Sequence, residues 1–164
     1  MSSYVLDSNF FIQAHRANYP FDVVPSFWKK IENLAEKELI VSIDKVREEI
    51  YKNDDELSNW CQEHLPGNFF KDSSVAIAEY AGLAAWANSK KDHFQQRAIE
   101  EFLDTDAADA WIIAFAINQK SPVLTHEKSE PGRKNRIKVP DVCLDHGVSY
   151  YSTVEMLRNL KETI

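Results

Sequence analysis

The segment Tyr4-Val5-Leu6-Asp7 places three aromatic or apolar residues directly before an acid. Far downstream, Val123-Leu124-Thr125-His126-Glu127 repeats this arrangement, with an acid shortly after an apolar run. Short apolar runs of this kind predict buried strands of a parallel sheet. Ligand sites of such sheets lie beyond the carboxyl ends of the strands, so the residues that follow each run are the first candidates for function.

Working outward, two further apolar runs, 39–42 and 148–151, predict strands. Helical patterns separate the four runs, and this alternation predicts an α/β fold with a parallel sheet. The predicted helices are Pro25–Glu38, Asp44–Lys52, Glu56–Leu65, Ser73–Asn88, His93–Leu103, Ala107–Asn118, Pro140–His146 and Thr153–Lys161. The 164 residues contain no repeat or linker, so we expect one domain over residues 1–164.

Composition excludes several classes of protein. With 26 acidic and 19 basic residues the net charge is −7, which is unlike a protein that coats nucleic acid nonspecifically. Four glycines leave no glycine-rich phosphate loop, and two cysteines form neither a disulfide framework nor a four-ligand zinc site. The sequence shows no membrane span and no signal peptide, so a cytoplasmic protein is expected.

Acidic residues from four distant segments are predicted to meet at one edge of the sheet. Asp7 and Glu127 follow strands, Glu48 and Glu49 lie on the helix after the second strand, and Asp109 opens an apolar helix. Crowded carboxylates resist ionisation unless a cation joins them. A hard divalent ion, Mg²⁺ or Mn²⁺, is therefore the expected cofactor, and it would suit phosphodiester chemistry.

The helical pattern separates Glu48 from Glu49. At about 100° per residue, Ile43, Val46 and Ile50 define the inward face of their helix. Glu49 then lies about a quarter turn from the centre of that face, and Glu48 lies nearly opposite it. We therefore expect Glu49 to reach the site and Glu48 to face water.

Each of these acids also has a structural interpretation. Asp7 could form an Asx-type bond after its strand, Asp106 could be the N-cap of the helix that Asp109 enters, and Glu127 could lie on the surface. Asp109 precedes a helix with hardly any polar side, which favours an inward position. Asp106 stays a secondary site candidate.

A basic stretch follows Glu127. It is either a solvated loop or a surface that meets the phosphate backbone of RNA. The cations considered for RNA binding are Arg133, Lys134, Arg136 and Lys138.

The segments 4–12, 46–50, 108–116 and 123–127 resemble, in order and spacing, the four acidic motifs of PIN domains. These are metal-dependent ribonucleases that include toxins of bacterial toxin–antitoxin pairs. The Tyr19–Phe21 and Trp28 region and Pro140-Asp141-Val142-Cys143 look more narrowly like the PIN-like subgroup DUF4411. Leu57–Trp60 and Thr125-His126-Glu127 support the same resemblance, which covers nearly the whole chain.

The resemblance implies a three-layer α/β/α fold with a short parallel sheet of four to five strands. It also implies one or two divalent cations, an RNA substrate and an antitoxin partner. A homodimer is a further partner considered, and the sequence does not reveal the oligomeric state. The acids carried over are Asp7, Glu49, Asp109 and Glu127, the last standing where the family often has Asp. Asn9 and Thr125 match polar positions that orient an acid or a water.

Two other functions compete with a ribonuclease. One is a PIN-like module that binds nucleic acid or protein without cutting, an interpretation that the Glu127 departure supports. The other is a phosphotransfer receiver, which would require a Lys at the end of a late strand. The late strand here runs Val148-Ser149-Tyr150-Tyr151 and offers none.

Overall fold

The computed structural model describes residues 2–164, and its centre is a five-stranded parallel sheet. The strands are β1 (Tyr4–Leu6), β2 (Ile40–Ile43), β3 (Phe70–Lys71), β4 (Val123–Leu124) and β5 (Tyr150–Tyr151). Their order is β3-β2-β1-β4-β5, so β1 lies in the middle. Leu6 is in register with Leu124, and the residues that follow β1 and β4 are therefore neighbours.

Helices cover both faces of the sheet, which confirms the predicted α/β fold. Strands β1 and β2 are buried along their whole length, as expected for strands covered on both sides. The helices are α1 (Ser8–Gln13), α2 (Pro25–Glu36), α3 (Asp44–Tyr51), α4 (Glu56–His64), α5 (Ile77–Asn88), α6 (Gln96–Phe102), α7 (Asp109–Gln119), α8 (Val139–Asp145) and α9 (Thr153–Leu160).

Helix α7 is the most deeply buried helix that touches the site. Seven consecutive residues, Ala110 to Ala116, are buried, which is the consequence of an apolar sequence on every side. The helix packs against α5, β1 and β4. Its first residue, Asp109, is thereby held close to the carboxyl end of the central strand.

Several local features differ from the sequence prediction. Strand β3 and helix α1 were not predicted, because each is very short and lacks its own hydrophobic period. A π-helical turn at Ala14–Asn18 continues α1. The helix predicted over 73–88 was wrong in its first turn, where Asp72 caps a 3₁₀ turn at Ser73–Ala76 and α5 begins only at Ile77.

Across residues 2–164, no helix combines the length and the apolar character that crossing a membrane requires.

Candidate active site

Asp7 is the most buried acid of the site. It follows β1, is only 2% exposed, and its Oδ1 accepts a hydrogen bond of 3.0 Å from the Phe10 amide at the start of α1. The predicted Asx-type cap is therefore present, but it uses only one carboxylate oxygen. Oδ2 is buried and makes no hydrogen bond of 3.5 Å or shorter; the Thr125 side chain lies near enough to lower the pKa of Asp7 without meeting that geometry.

The environment of Asp7 opposes its ionisation. Burial raises the pKa of Asp7 to about 7, and the Thr125 side chain and the Phe10 amide offset part of this rise. The charges of Asp109 and Glu127 raise the pKa further. An aspartate that holds its proton near neutral pH, with one free buried oxygen, is in a position that a cation would stabilise.

Asp109 is more exposed to solvent than Asp7 and Glu127. As the first residue of α7 it lies at a helix N-terminus, and its side chain is 33% exposed. Burial raises the pKa of Asp109 to about 6, in the same direction as the charge of Glu127, while Arg136 opposes the rise. Water at this exposure screens the charges around Asp109 more strongly than those around Asp7.

Glu49 lies on α3, and its side chain reaches the start of α7. Its Oε1 accepts a hydrogen bond of 3.0 Å from the Ala108 amide, and its charge raises the pKa of Asp109. Glu48, one residue earlier, is exposed. The structure thus places these two neighbours on the sides that the helical pattern predicts.

The prediction of Asp106 as an N-cap was wrong. The N-cap position of α7 belongs to Ala108, and Asp106 is exposed. The Asp104 side chain accepts a hydrogen bond from the Asp106 amide, which keeps this segment in a turn before the helix begins. Glu49, from a distant segment, accepts a hydrogen bond from the amide of the N-cap residue Ala108, an arrangement that local spacing cannot reveal.

Both carboxylate oxygens of Glu127 accept hydrogen bonds from the protein. Its side chain is 5% exposed, Oε1 accepts 2.6 Å from Arg136 Nη2, and Oε2 accepts 2.8 Å from the Val139 amide. The Thr125 hydroxyl oxygen in turn accepts from the Glu127 amide at 3.1 Å. Both carboxylate oxygens are thus occupied by the protein, and the structure excludes a surface position for Glu127.

The cations of the basic stretch have different partners. Arg133 and Lys134 are exposed, and Arg133 contacts its loop neighbours Glu130 and Asn135. Lys138 also faces Glu130, at 3.5 Å, whereas Arg136 contacts Glu127 and lies 3.9 Å from Asp109. Arg136 as part of the acidic site was missed by the sequence analysis, because no residue spacing predicts where this loop returns.

Two neighbouring polar residues complete the surroundings. His126 bridges Gln13 at 3.1 Å and Thr153 at 2.8 Å, and burial lowers its pKa. It therefore ties the β4 loop to α1 and α9. Asn9 lies in the first turn of α1 and is partly exposed.

The residues suit a divalent cation, although they do not form a closed cage. The orphaned Oδ2 of Asp7 and the largely unpartnered carboxylate of Asp109 are hard oxygen donors of the kind Mg²⁺ and Mn²⁺ prefer. In the part of the chain described, 2–164, no three His, Cys, Asp or Glu side chains already form a metal-holding group. A cavity of about 500 Å³ lies at the opposite end of the strands, against Leu39, Pro122 and Val148.

Comparison with known proteins assigns the family. The model of DUF4411, a domain of unknown function, matches residues 4–164. The chain belongs to the DUF4411 family. A search of curated protein sequences found no significant match.

The DUF4411 chain also resembles a solved structure. It superposes on one chain of the crystal structure of VapBC2 from Rickettsia felis bound to a DNA fragment from their promoter, with a TM-score of 0.52. The match covers 91% of this chain and 97% of that chain, at 16% identity. Similarity at this identity establishes a shared fold.

Proposed function

We propose that this DUF4411 protein is a metal-dependent endoribonuclease that hydrolyses phosphodiester bonds of RNA and acts as the toxin of a toxin–antitoxin pair. The observation that carries the proposal is the buried Oδ2 of Asp7, which makes no hydrogen bond, at the carboxyl end of the central strand. Asp109 lies near enough to raise the pKa of Asp7, and Glu49 near enough to raise that of Asp109. Such an oxygen is unfavourable in the protein alone, and a cation would compensate it.

In this proposal Asp7 and Asp109 hold the metal, and Glu49 adds negative charge from α3. The bound Mg²⁺ or Mn²⁺ would supply a water of lowered pKa and neutralise charge on the phosphate oxygens. Burial of Asp7 keeps its carboxylate in a fixed orientation, because its Oδ1 is tied to the Phe10 amide. Asp109, being partly exposed, faces the solvent from which the substrate arrives.

A polymer substrate fits the shape and charge of this edge. The Asp109 side chain is 33% exposed at this edge, and Arg133 and Lys134 are exposed on the adjoining loop. Cations at such positions supply sequence-independent affinity for phosphates. Reversing the charge of Arg133 and Lys134 should weaken RNA binding and flatten its dependence on salt.

The cleavage test uses wild type and Asp109→Ala purified side by side, since contaminating nucleases would act in both. Wild type should cleave single-stranded RNA in Mg²⁺ or Mn²⁺ and stop in EDTA, while Asp109→Ala should bind RNA without cleaving it. Equal cleavage by the two preparations would refute the assignment of Asp109.

The toxin assignment rests on the family resemblance and on the fold shared with a chain of the VapBC2 complex. Induced expression of wild type should arrest growth, and Asp109→Ala should not. The expected partners are an antitoxin protein and a second copy of this chain. Light scattering of the purified protein tests the second copy, and co-purification with the product of the neighbouring gene tests the antitoxin.

One observation favours a second function, a PIN-like module that binds nucleic acid or protein with weak or no catalysis. Glu127, one of the four expected acids, has both oxygens occupied by Arg136 and Val139. If both wild type and Asp109→Ala bind a broad panel of RNAs and neither cleaves any, this second function is the better account.

A further inference from the structure

The pair formed by Glu127 and Arg136 differs from an ordinary surface ion pair. The Glu127 side chain is 5% exposed and that of Arg136 47% exposed, with 2.6 Å between Oε1 and Nη2. The Val139 amide donates a hydrogen bond to the second carboxylate oxygen of Glu127, and the Glu127 amide donates one to the Thr125 hydroxyl oxygen. Each oxygen of this nearly buried carboxylate already accepts one hydrogen bond, and the charge of Arg136 beside it would oppose a metal ion at the same place.

Arg136 lies close to Asp109, one of the two acids that hold the metal in the proposed function. Its Nη2 is 3.9 Å from Asp109 Oδ2, so the guanidinium stands between Asp109 and Glu127. A guanidinium carries five N–H donors and keeps its charge at any physiological pH. Nη2 makes its short contact with Glu127, and nearly half of the side chain remains open to solvent.

The loop around Arg136 fixes it in this position. The residue that follows it, Ile137, is 3% exposed, and Val139 is fully buried. Arg136 itself is 47% exposed, against 39% for Arg133, so its position at the acidic site comes from its bond to Glu127 and from the buried residues that follow it in the loop.

We propose that Arg136 is a catalytic residue that takes the place of a second metal ion, and that Glu127 is its positioning residue. This inference rests on the proposed ribonuclease function and deepens it. The site then binds one divalent ion, through Asp7 and Asp109, and the guanidinium donates hydrogen bonds to a nonbridging oxygen of the scissile phosphate. Charge-assisted, two-pronged bonds to phosphate are the geometry for which arginine is suited.

No proton or covalent bond is exchanged with Arg136. Water forms the new bond to phosphorus and releases a proton to solvent, while the bond from phosphorus to the leaving oxygen breaks and that oxygen takes up a proton from solvent. Arg136 keeps its charge throughout and stabilises the negative charge that develops on the phosphate oxygens.

The first arm of the test counts metal ions and needs no RNA. Isothermal titration of Mn²⁺ into metal-free protein should give one ion for wild type and for Glu127→Gln, with dissociation constants within about threefold. Asp109→Asn should lose the ion. Two ions bound by wild type and one by Glu127→Gln would overturn the inference, because Glu127 would then be a metal ligand.

The second arm measures cleavage. Arg136→Ala should lower kcat by about 10²- to 10³-fold, the usual effect of removing one transition-state donor, and change KM much less. Arg136→Lys should recover about tenfold of that loss. Arg158→Ala, which removes an exposed arginine of α9, is the matched control and should cleave like wild type. Cleavage by Arg136→Ala at or above the wild-type rate, with a second Mn²⁺ bound, would show instead that Arg136 blocks a metal site.

Separate controls test whether the variants fold and whether the proposed ribonuclease function holds. Because Arg136→Ala leaves Glu127 buried without its partner, the double variant Arg136→Ala/Glu127→Gln is measured alongside, and thermal melting establishes that each variant is folded. Absence of cleavage by wild type with one Mn²⁺ bound would remove the proposed ribonuclease function and a catalytic Arg136 with it. The ion counts would still decide whether Glu127 serves Arg136 or the metal.

Discussion

Asp7 and Glu127 occupy similar positions in the fold but differ in the partners of their carboxylate oxygens. Both follow adjacent parallel strands, both are nearly buried, and each gives one carboxylate oxygen to an amide at a helix start, Phe10 or Val139. The second oxygen of Glu127 meets Arg136 at 2.6 Å. The second oxygen of Asp7 meets no partner.

The position of each acid in the fold explains the difference. Asp7 joins the central strand directly to α1, so no loop at that point can bring a cation to it. Glu127 opens the long connection between β4 and α8, and this connection returns Arg136 to it. The carboxylate of Glu127 therefore has its hydrogen-bond and charge partners in the folded protein, whereas that of Asp7 requires a proton or an external cation.

The largest expected effect is on cleavage. Asp7→Asn keeps an acceptor for the Phe10 amide but removes the charge, and we expect it to lower kcat by about 10³-fold, comparable to the loss of a major electrostatic contribution. Single-turnover cleavage of a labelled RNA in Mn²⁺ measures this. A rate within tenfold of wild type would mean that Asp7 is only a cap.

The same chemical change at the two acids should have opposite effects on stability. Without metal at pH 8, Asp7→Asn should raise the free energy of unfolding by about 1–3 kcal/mol, because it removes an unfavourable buried charge. For a chain of this size that corresponds to roughly 3–10 °C in Tm. Glu127→Gln should instead lose about 1–3 kcal/mol, because it weakens charge-assisted bonds.

Metal-free thermal melts of wild type and both variants test this pair of signs. Destabilisation by Asp7→Asn would indicate that its ionised carboxylate is satisfied as folded, contrary to the comparison. Adding Mn²⁺ should then raise the Tm of wild type and of Glu127→Gln, and leave that of Asp7→Asn unchanged.

The pH dependence sharpens the part that Asp7 plays. Its pKa is about 7 in the folded protein against 3.8 ordinarily, so the folded state binds the extra proton between these values. Stability therefore falls as pH rises through this window, by at most about 1.4 kcal/mol per pH unit. The difference between Asp7→Asn and wild type should be small below pH 4 and reach its maximum above pH 7. Chemical denaturation across pH 4–8 without metal measures it, and a constant difference would contradict the assigned pKa.

The smallest effect concerns the neighbours Glu48 and Glu49. Glu48→Gln and Glu49→Gln should each change stability by less than about 0.5 kcal/mol, since Glu48 is exposed and a Gln at 49 can still accept from the Ala108 amide. Only Glu49→Gln should slow cleavage, by about tenfold, through loss of negative charge near the metal. Equal rates for the two variants would remove Glu49 from the site.

The fold was predictable where hydrophobic runs are continuous. The apolar runs that contain β1, β2, β4 and β5, and the helices between them, follow from the pattern of residues alone, because burial on both faces requires it. Strand β3, of two residues, and α1, of six, are too short to carry a period, and contacts with the rest of the sheet decide them. The helix predicted from Ala107 begins at Asp109, and the amide of its N-cap residue, Ala108, is bound by Glu49 from far away in the chain.

By itself, the sequence determined that acids follow the strands of a parallel sheet, and that Glu49 rather than Glu48 faces the site, because strand order and helical period are local properties of the chain. Only the tertiary structure decided which of these acids is left without a partner. Arg136 reaches Glu127 and no cation reaches Asp7, because the return path of a loop depends on what the whole core packs against it. Electrostatic balance in this site is therefore a property of the folded chain and cannot be deduced from the spacing of its charges.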